Sequence, residues 1–431
     1  GWAAGYAGNV AALAGTTVAG GGATGTGFLG YGPNQALASF AAIGGGSANL
    51  VQTNADHGAI AGGAYNAIQS LAWYGAVAGG RSNAIGVNAT YGTIGGGIMN
   101  ALGANSDYGT IGGGDQNAIG TNSDYSTIGG GSGNRIQNSA FFDVVAGGRD
   151  NVLDELAYAS AIGGGRENTI QYQVQYGVIG GGYRNLIATN ADNGVVAGGE
   201  NNSLGPFAKY GAIGGGSRNV LAAGATNSVV AGGFSNRIES AIGAIGGGQS
   251  NRIGVGVVAA AVAGGSLNAI GDNAHYAAIG GGIANSIQTM GAIGTIGGGG
   301  ASVIETNGYS GTIGGGSGNR IGNQTYYSTV AGGIQNVIQT GTTYACVGGG
   351  GFNVVQTNAD GAAVAGGYGN VVWTGAQYAA VGGGYRNQIG ADATNGVVAG
   401  GWSNAIGERA AYAVIAGGYR NTIQTDRKSV V

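Results

Sequence analysis

From Ile43 to the end of the chain, one pattern returns every 17 residues: an Ile or Val, two or three glycines, two variable residues, an Asn, one variable residue and an aliphatic. The stretch Tyr108 to Gln137, YGTIGGGDQNAIGTNSDYSTIGGGSGNRIQ, holds two copies. Counted on the Asn, the period runs from Asn49 to Asn236, takes one 15-residue step to Asn251, and continues to Asn421 with Ser302 in place of one Asn. That makes 23 units. A 17-residue period is too short for a two-helix repeat, and glycine pairs cost a helix about 1 kcal/mol per residue. It suits one coil of a parallel β-solenoid, with two short strands and tight turns.

Composition removes the competing explanations for so much glycine. Glycine supplies 102 of 431 residues but proline only two, so collagen is excluded. At 43% hydrophobic and 8% charged, the chain is unlike a disordered one. Its formal charge of −3 gives no footprint for nucleic acid. One cysteine, Cys346, rules out an internal disulfide framework. No apolar run reaches the roughly 20 residues of a membrane helix, so no direct membrane span is expected. The chain begins at Gly1 without Met, as expected of a processed chain or a piece of a longer one.

The columns of the repeat assign faces. The residue before the glycines (Ile43, Ile60, Val77 and on to Ile415) is Ile or Val in every unit, and must point into a core. The second residue after the Asn (Ile68, Ile85, Leu102) closes that core from the other strand. The Asn column, represented by Asn100, Asn117, Asn134, Asn151 and Asn168, is expected to stack as an amide ladder. Gln52, Gln69, Gln137 and their equivalents are expected to form another. Eleven of 13 arginines fall in the turn after the glycines or beside the Asn, which marks that edge as outermost.

One column points beyond the single chain. The residue before the core Ile/Val lies on the outer face of its strand, yet it is only Ala, Thr, Val or Cys, including Thr110, Ala161, Val178 and Cys346. The residue after the Ile/Val is only Gly or Ala. A solvated face would carry charges, so this strand is expected to be buried on both sides, with Cys346 a buried small residue. Threefold packing of identical chains would supply the cover. The expected architecture is therefore an all-β, single-domain parallel β-solenoid (β-roll) of 23 coils, forming a homotrimeric rod about 110 Å long at about 4.8 Å per coil. The expected limits are 1–42 as an N-terminal cap or junction with a degenerate repeat, 43–424 as the solenoid and 425–431 as a tail. An uncapped last coil would favour end-to-end filaments.

The recurring IGGGxxNxI and VAGGxxNxI coils resemble the head repeats of trimeric autotransporter adhesins, the YadA-like left-handed parallel β-roll. Related glycine-rich repeats occur in bacterial surface proteins and phage tail fibres. The resemblance spans about residues 43–424 and departs in period, since the familiar head repeat is shorter. It implies a secreted, trimeric, extracellular module at the cell surface, with a structural or adhesive role. The alternatives are a phage tail fibre and, further off, an ice-binding solenoid or a polysaccharide-active solenoid enzyme.

Chemistry has few parts to work with. His57 and His275 lie 218 residues apart, in or beside a mostly aromatic column (Phe40, Tyr74, Tyr91, Tyr108, Tyr125) that is expected to form a seam of stacked rings. The carboxylate pair Asp154–Glu155 has no accompanying cluster. No catalysis, cofactor or metal is expected. The candidate binding site is a stripe at the first position after the glycines in the last four coils: Tyr368, Tyr385, Trp402 and Tyr419, flanked by Arg386 and Arg420. Flat rings beside arginine suit the face of a host or environmental glycan, or the next subunit; a ladder that stiffens the end is the competing explanation.

Overall fold

A computed structural model describes residues 1–22 and 32–424. It is an all-β parallel solenoid of about 24 coils with a 17-residue period, and no helix occurs among the described residues. The chain divides into two compact units, Gly1–Arg218 and Asn219–Val431, each built the same way.

Residues 59–75 show how one coil is made. A first strand, Ala59–Ile60, leads into the glycine turn; a second strand, Ala67–Ile68, follows Asn66; two further turns return the chain to Ala76–Val77. Each strand pairs in parallel and without slip to its equivalent 17 residues away, Ala59↔Ala76 and Ile60↔Val77 on one side, Ala67↔Ala84 and Ile68↔Ile85 on the other. Register cannot drift, because a one-residue slip would turn Ile60 and Ile68 out to solvent. Five residues of the coil point inward: Ile60, Asn66, Ile68, Ala72 and Gly75. The last two columns, mostly Ala with Ser or Thr and mostly Gly with Ala or Ser, close a third side of the core that the sequence pattern did not single out.

Hydrogen bonds run in both directions between coils. Strand residues donate forward, as Ala59 N–H does to Gly75 O (2.9 Å) and Ala67 N–H to Asn83 O (2.9 Å). Residues in the left-handed conformation donate backward: Tyr65 N–H to Ser47 O (3.0 Å) and Tyr74 N–H to Asp56 O (3.0 Å). Three such non-glycine corners occur in this coil, Tyr65, Leu71 and Tyr74, with φ of 60°, 64° and 57°. An L-residue held there costs roughly 1–2 kcal/mol, and the backward bonds and stacking of neighbouring coils offset that cost. Glycine is indispensable at Gly63, where φ is +86° and a Cβ would lie 2.1 Å from Gly80 O of the next coil.

The solenoid begins earlier than expected. Trp2–Ala3 pairs with Thr17–Val18, which pairs with Ala42–Ile43, and Val10–Ala11 pairs with Gln35–Ala36. The described residues of 1–42 therefore carry coils of their own, the expected degenerate repeat among them at Thr17–Val18. Asn34, 15 residues before Asn49, is their legible trace, the same short step as Asn236 to Asn251. The expected tail, 425–431, lies outside the described residues.

Candidate functional site

The Asn column forms the expected amide ladder, with Nδ2 of Asn100, Asn151 and Asn168 donating to Oδ1 of the preceding Asn at 3.1 Å, and it bonds the backbone as well. Asn117 is fully buried; its Nδ2 donates to Gly113 O and Gly131 O, both 2.9 Å, and its Oδ1 accepts Asn134 N–H at 3.0 Å. Asn100, Asn134, Asn151 and Asn168 repeat the arrangement. Each Asn thus satisfies glycine carbonyls of two coils, which explains why Asn follows the glycines at fixed distance. In the first unit the ladder includes Asn9 and Asn34, since Asn34 N–H donates to Asn9 Oδ1 (2.9 Å) and Asn49 N–H to Asn34 Oδ1 (3.0 Å).

The Gln residues cap turns instead of pairing with one another. Gln52 Oε1 accepts both the N–H and the hydroxyl of Ser70, each at 3.1 Å, and Gln137 Nε2 donates to Asp154 Oδ1 at 2.7 Å. A second side-chain amide ladder forms at the left-handed corner occupied by Asn88, Asn105 and Asn122, with links of 3.1 Å.

Aromatic ridges stand on the surface, two of them long. In the first unit, Phe40, His57, Tyr74, Tyr91, Tyr108, Tyr125 and Phe142 stack face to face, centroids 4.8–5.1 Å apart and planes within 10°. His57 is thus one plate in the stack. The stack breaks after Phe142, where Tyr158 meets it edge-on at 74°. In the second unit, Tyr368, Tyr385, Trp402 and Tyr419 stand in sequence at 5.5, 4.1 and 6.5 Å, with planes within 27°. Phe352 extends this row at 5.1 Å; it sits one position later in its own coil, so no column of the sequence reveals it. Arg386 lies over Tyr385 and Arg420 over Tyr419, each guanidinium 5.0 Å from the ring centre. The geometry corrects one expectation: the rings spend their faces on each other and on arginine, so the stripe offers edges, hydroxyls and cations rather than flat platforms.

The outer face of the first strand differs from what its composition implied. Within the chain it is open: Val178 and Cys346 are exposed and Thr110 and Ala161 half-buried. Cys346 is therefore no buried hydrophobe in the single chain, because none of the described residues covers its strand. In the first unit, Ala42, Ala59, Ala76 and Thr93 line a shallow apolar trough on this face with Gly44 and Ala61.

Charges sit at the other edges. Glu167 bridges Arg166 (2.7 Å) and Arg184 (2.5 Å), and the two guanidiniums flank Tyr183 at 5.6 and 4.8 Å. The Arg184 hydrogen bond, with the charge of both arginines, holds Glu167 below the usual carboxylate range. Asp154 is shifted upward by burial and by the neighbouring charge of Glu155. Asn138 Nδ2 donates to Glu155 (3.2 Å), so amides hold both carboxylates at the turn. Among the described residues there is no cluster of three His, Cys, Asp or Glu that could hold a metal ion, and no helix long and apolar enough to cross a membrane. No protein-family model matches the chain, and no curated protein matches it.

Proposed function

We propose that this chain is a structural and adhesive fibre module, extracellular and presented at a cell surface, that assembles as a homotrimer through the outer face of its first strands. The observation that carries this reading is an absence of charge where charge would cost nothing. In all 23 units the outer positions of that strand hold only Ala, Thr, Val, Cys or Gly, although the chain by itself leaves them exposed or half-buried. An open apolar face repeated coil after coil in each unit is the mark of an interaction surface, and rotational symmetry closes such a face on copies of itself. The aromatic ridges and the arginine-bearing turns lie at other corners of the coil, free to meet a saccharide through phenol edges and guanidinium groups. The same architecture serves a phage tail fibre equally well.

Light scattering of the purified chain tests the assembly: three times the chain mass is expected. Thr110→Glu combined with Ala161→Glu buries unpaired charge in the trimer and should yield monomer. Cys346, the sole cysteine, gives an independent readout, because in-register packing brings equivalent thiols together and a short bismaleimide should link chains in the wild type only. A folded wild-type monomer overturns the trimer. If that monomer also shows thermal hysteresis, the Thr93–Thr110–Thr127 and Thr295–Thr312–Thr329 ranks would mark an ice-binding face instead.

A further inference from the structure

Asp143 occupies an inward-facing column that elsewhere holds Gly, Ala or Ser, and it is fully buried. Every other buried polar side chain among the described residues is Asn, Ser or Thr, so Asp143 is the only ionisable group in the core. Its Oδ1 accepts Ser160 N–H at 2.7 Å, whereas its Oδ2 is buried without a donor.

The hydroxyls of the same column show what this site asks for. Ser126 Oγ accepts the N–H of residue 143 (3.4 Å) and donates to Ala140 O (2.9 Å). Ser160 accepts Gly177 N–H (3.0 Å) and donates to Val174 O (3.3 Å); Ser228 and Ser328 do the same in the second unit. Each hydroxyl therefore joins its coil to the next by one accepted and one donated bond. At Asp143 the accepting half is present in Oδ1. By the repeat, the carbonyl that awaits the donated bond is that of Ala157, which already receives Phe141 N–H at 3.2 Å and has a second lone pair. Only a protonated carboxyl can donate there; a carboxylate would set two acceptors against each other away from water.

We propose that Asp143 is a proton-dependent latch between neighbouring coils, its neutral carboxyl joining Ser160 N–H to Ala157 O, and that loss of the proton opens this joint. Nothing charged faces it to change the outcome. Asp124 and Tyr125 on the coil before, and Asp154, Glu155 and Tyr158 on the coil after, all lie outside the core, Asp154 and Glu155 bonded to Gln137 and Asn138. Burial raises the Asp143 carboxyl to about 7, against the pull of Ser160 N–H. The joint is also where the aromatic stack ends, between Phe142 and Tyr158.

The sign follows from the raised proton affinity of the closed state. The closed form keeps its proton while the open form loses it, so the latch weakens as pH rises from the ordinary carboxylate range to about 7, then changes no further. Amide exchange at Ser160 and Val144 in the full chain, corrected for intrinsic rates, should report an opening constant about a hundredfold larger at pH 8 than at pH 5. Asp143→Asn keeps the acceptor and supplies a permanent N–H donor, so its opening constant should not change over this range. Asp143→Ser, the chemistry of Ser126 and Ser160, should behave likewise and serves if the Asn variant does not fold. Equal pH dependence in wild type and variants, or a carboxyl carbon resonance of Asp143 that titrates in the ordinary range, overturns the latch. None of these measurements depends on the oligomeric state.

Discussion

Asn117 shows how much a single side chain can do in a coil of 17 residues. Its amide satisfies two partly exposed glycine carbonyls and one buried backbone N–H. Asn117→Ala would orphan the buried Asn134 N–H, at a cost of about 1–3 kcal/mol, and take one bond from each glycine carbonyl, Gly131 O keeping that of Asp115 N–H. Chemical denaturation should therefore show a loss of roughly 2–3 kcal/mol. Asn117→Asp should be no milder, since a carboxylate cannot donate to the Gly113 and Gly131 carbonyls. Ser302, which replaces one Asn, accepts no compensation of this kind: its hydroxyl is buried and unpartnered. Coil 302 is accordingly the weakest rung of the second unit's ladder. The Asn period was plain in the sequence, but the partners of its amide were not, because glycine carbonyls leave no mark on residue identity.

At the scale of the element, the coil balances backbone strain against stacking. Tyr108 sits at φ 58° and stacks on Tyr91 and Tyr125 at 5.0 and 4.8 Å. Tyr108→Ala keeps the left-handed strain and loses both stacks, worth about 0.5–1.5 kcal/mol each; thermal unfolding should record a loss of about 1–3 kcal/mol. Tyr108→Gly loses the same stacks but relieves about 1 kcal/mol of strain, so it should be the milder change, the reverse of the order in an ordinary strand. An equal loss in both variants would mean that the corner carries no strain. The aromatic column was visible in the sequence as a seam. Its left-handed backbone was harder to see, because tyrosine rarely adopts that conformation; the hints were Asn193, Asn227, Gly361 and Asn395 in the same column and Asn54, Asn88, Asn105 and Asn122 at the neighbouring corner.

For the molecule as a whole, what matters is which surfaces the stacking of coils leaves over. The row of Phe352, Tyr368, Tyr385, Trp402 and Tyr419 is held together by its own ring contacts. If it serves as a saccharide ridge, Tyr385→Ala with Trp402→Ala should abolish signal on a glycan array. Removing the 4.1 Å contact between them should also cost about 1 kcal/mol of stability. A larger stability loss with array binding intact would assign the row to stiffening alone. The outer face of the first strands is the complementary case. Its composition was legible from the sequence, and the inference that something covers it began there. That it lies open in the chain required coordinates, because burial by a partner and simple exposure leave the same small residues.

The sequence by itself determined the period, the parallel β-solenoid, the inward Ile and Val columns and the Asn ladder. These follow from local repetition: every coil meets a near copy of itself, so a column in the sequence is a row in space. It also marked Thr110, Ala161, Val178 and Cys346 as one surface and Tyr368, Tyr385, Trp402 and Tyr419 as one row. The tertiary structure alone decided three things. It placed Trp2 and Val10 in coils stacked on the degenerate repeat at Thr17, through pairing that no column of the sequence marks. It turned the ring faces of Tyr385 and Trp402 toward each other, because coil spacing matches the thickness of stacked rings. And it buried Asp143 in a column of small residues, between the hydroxyls of Ser126 and Ser160 whose bonds its carboxyl takes over only in part.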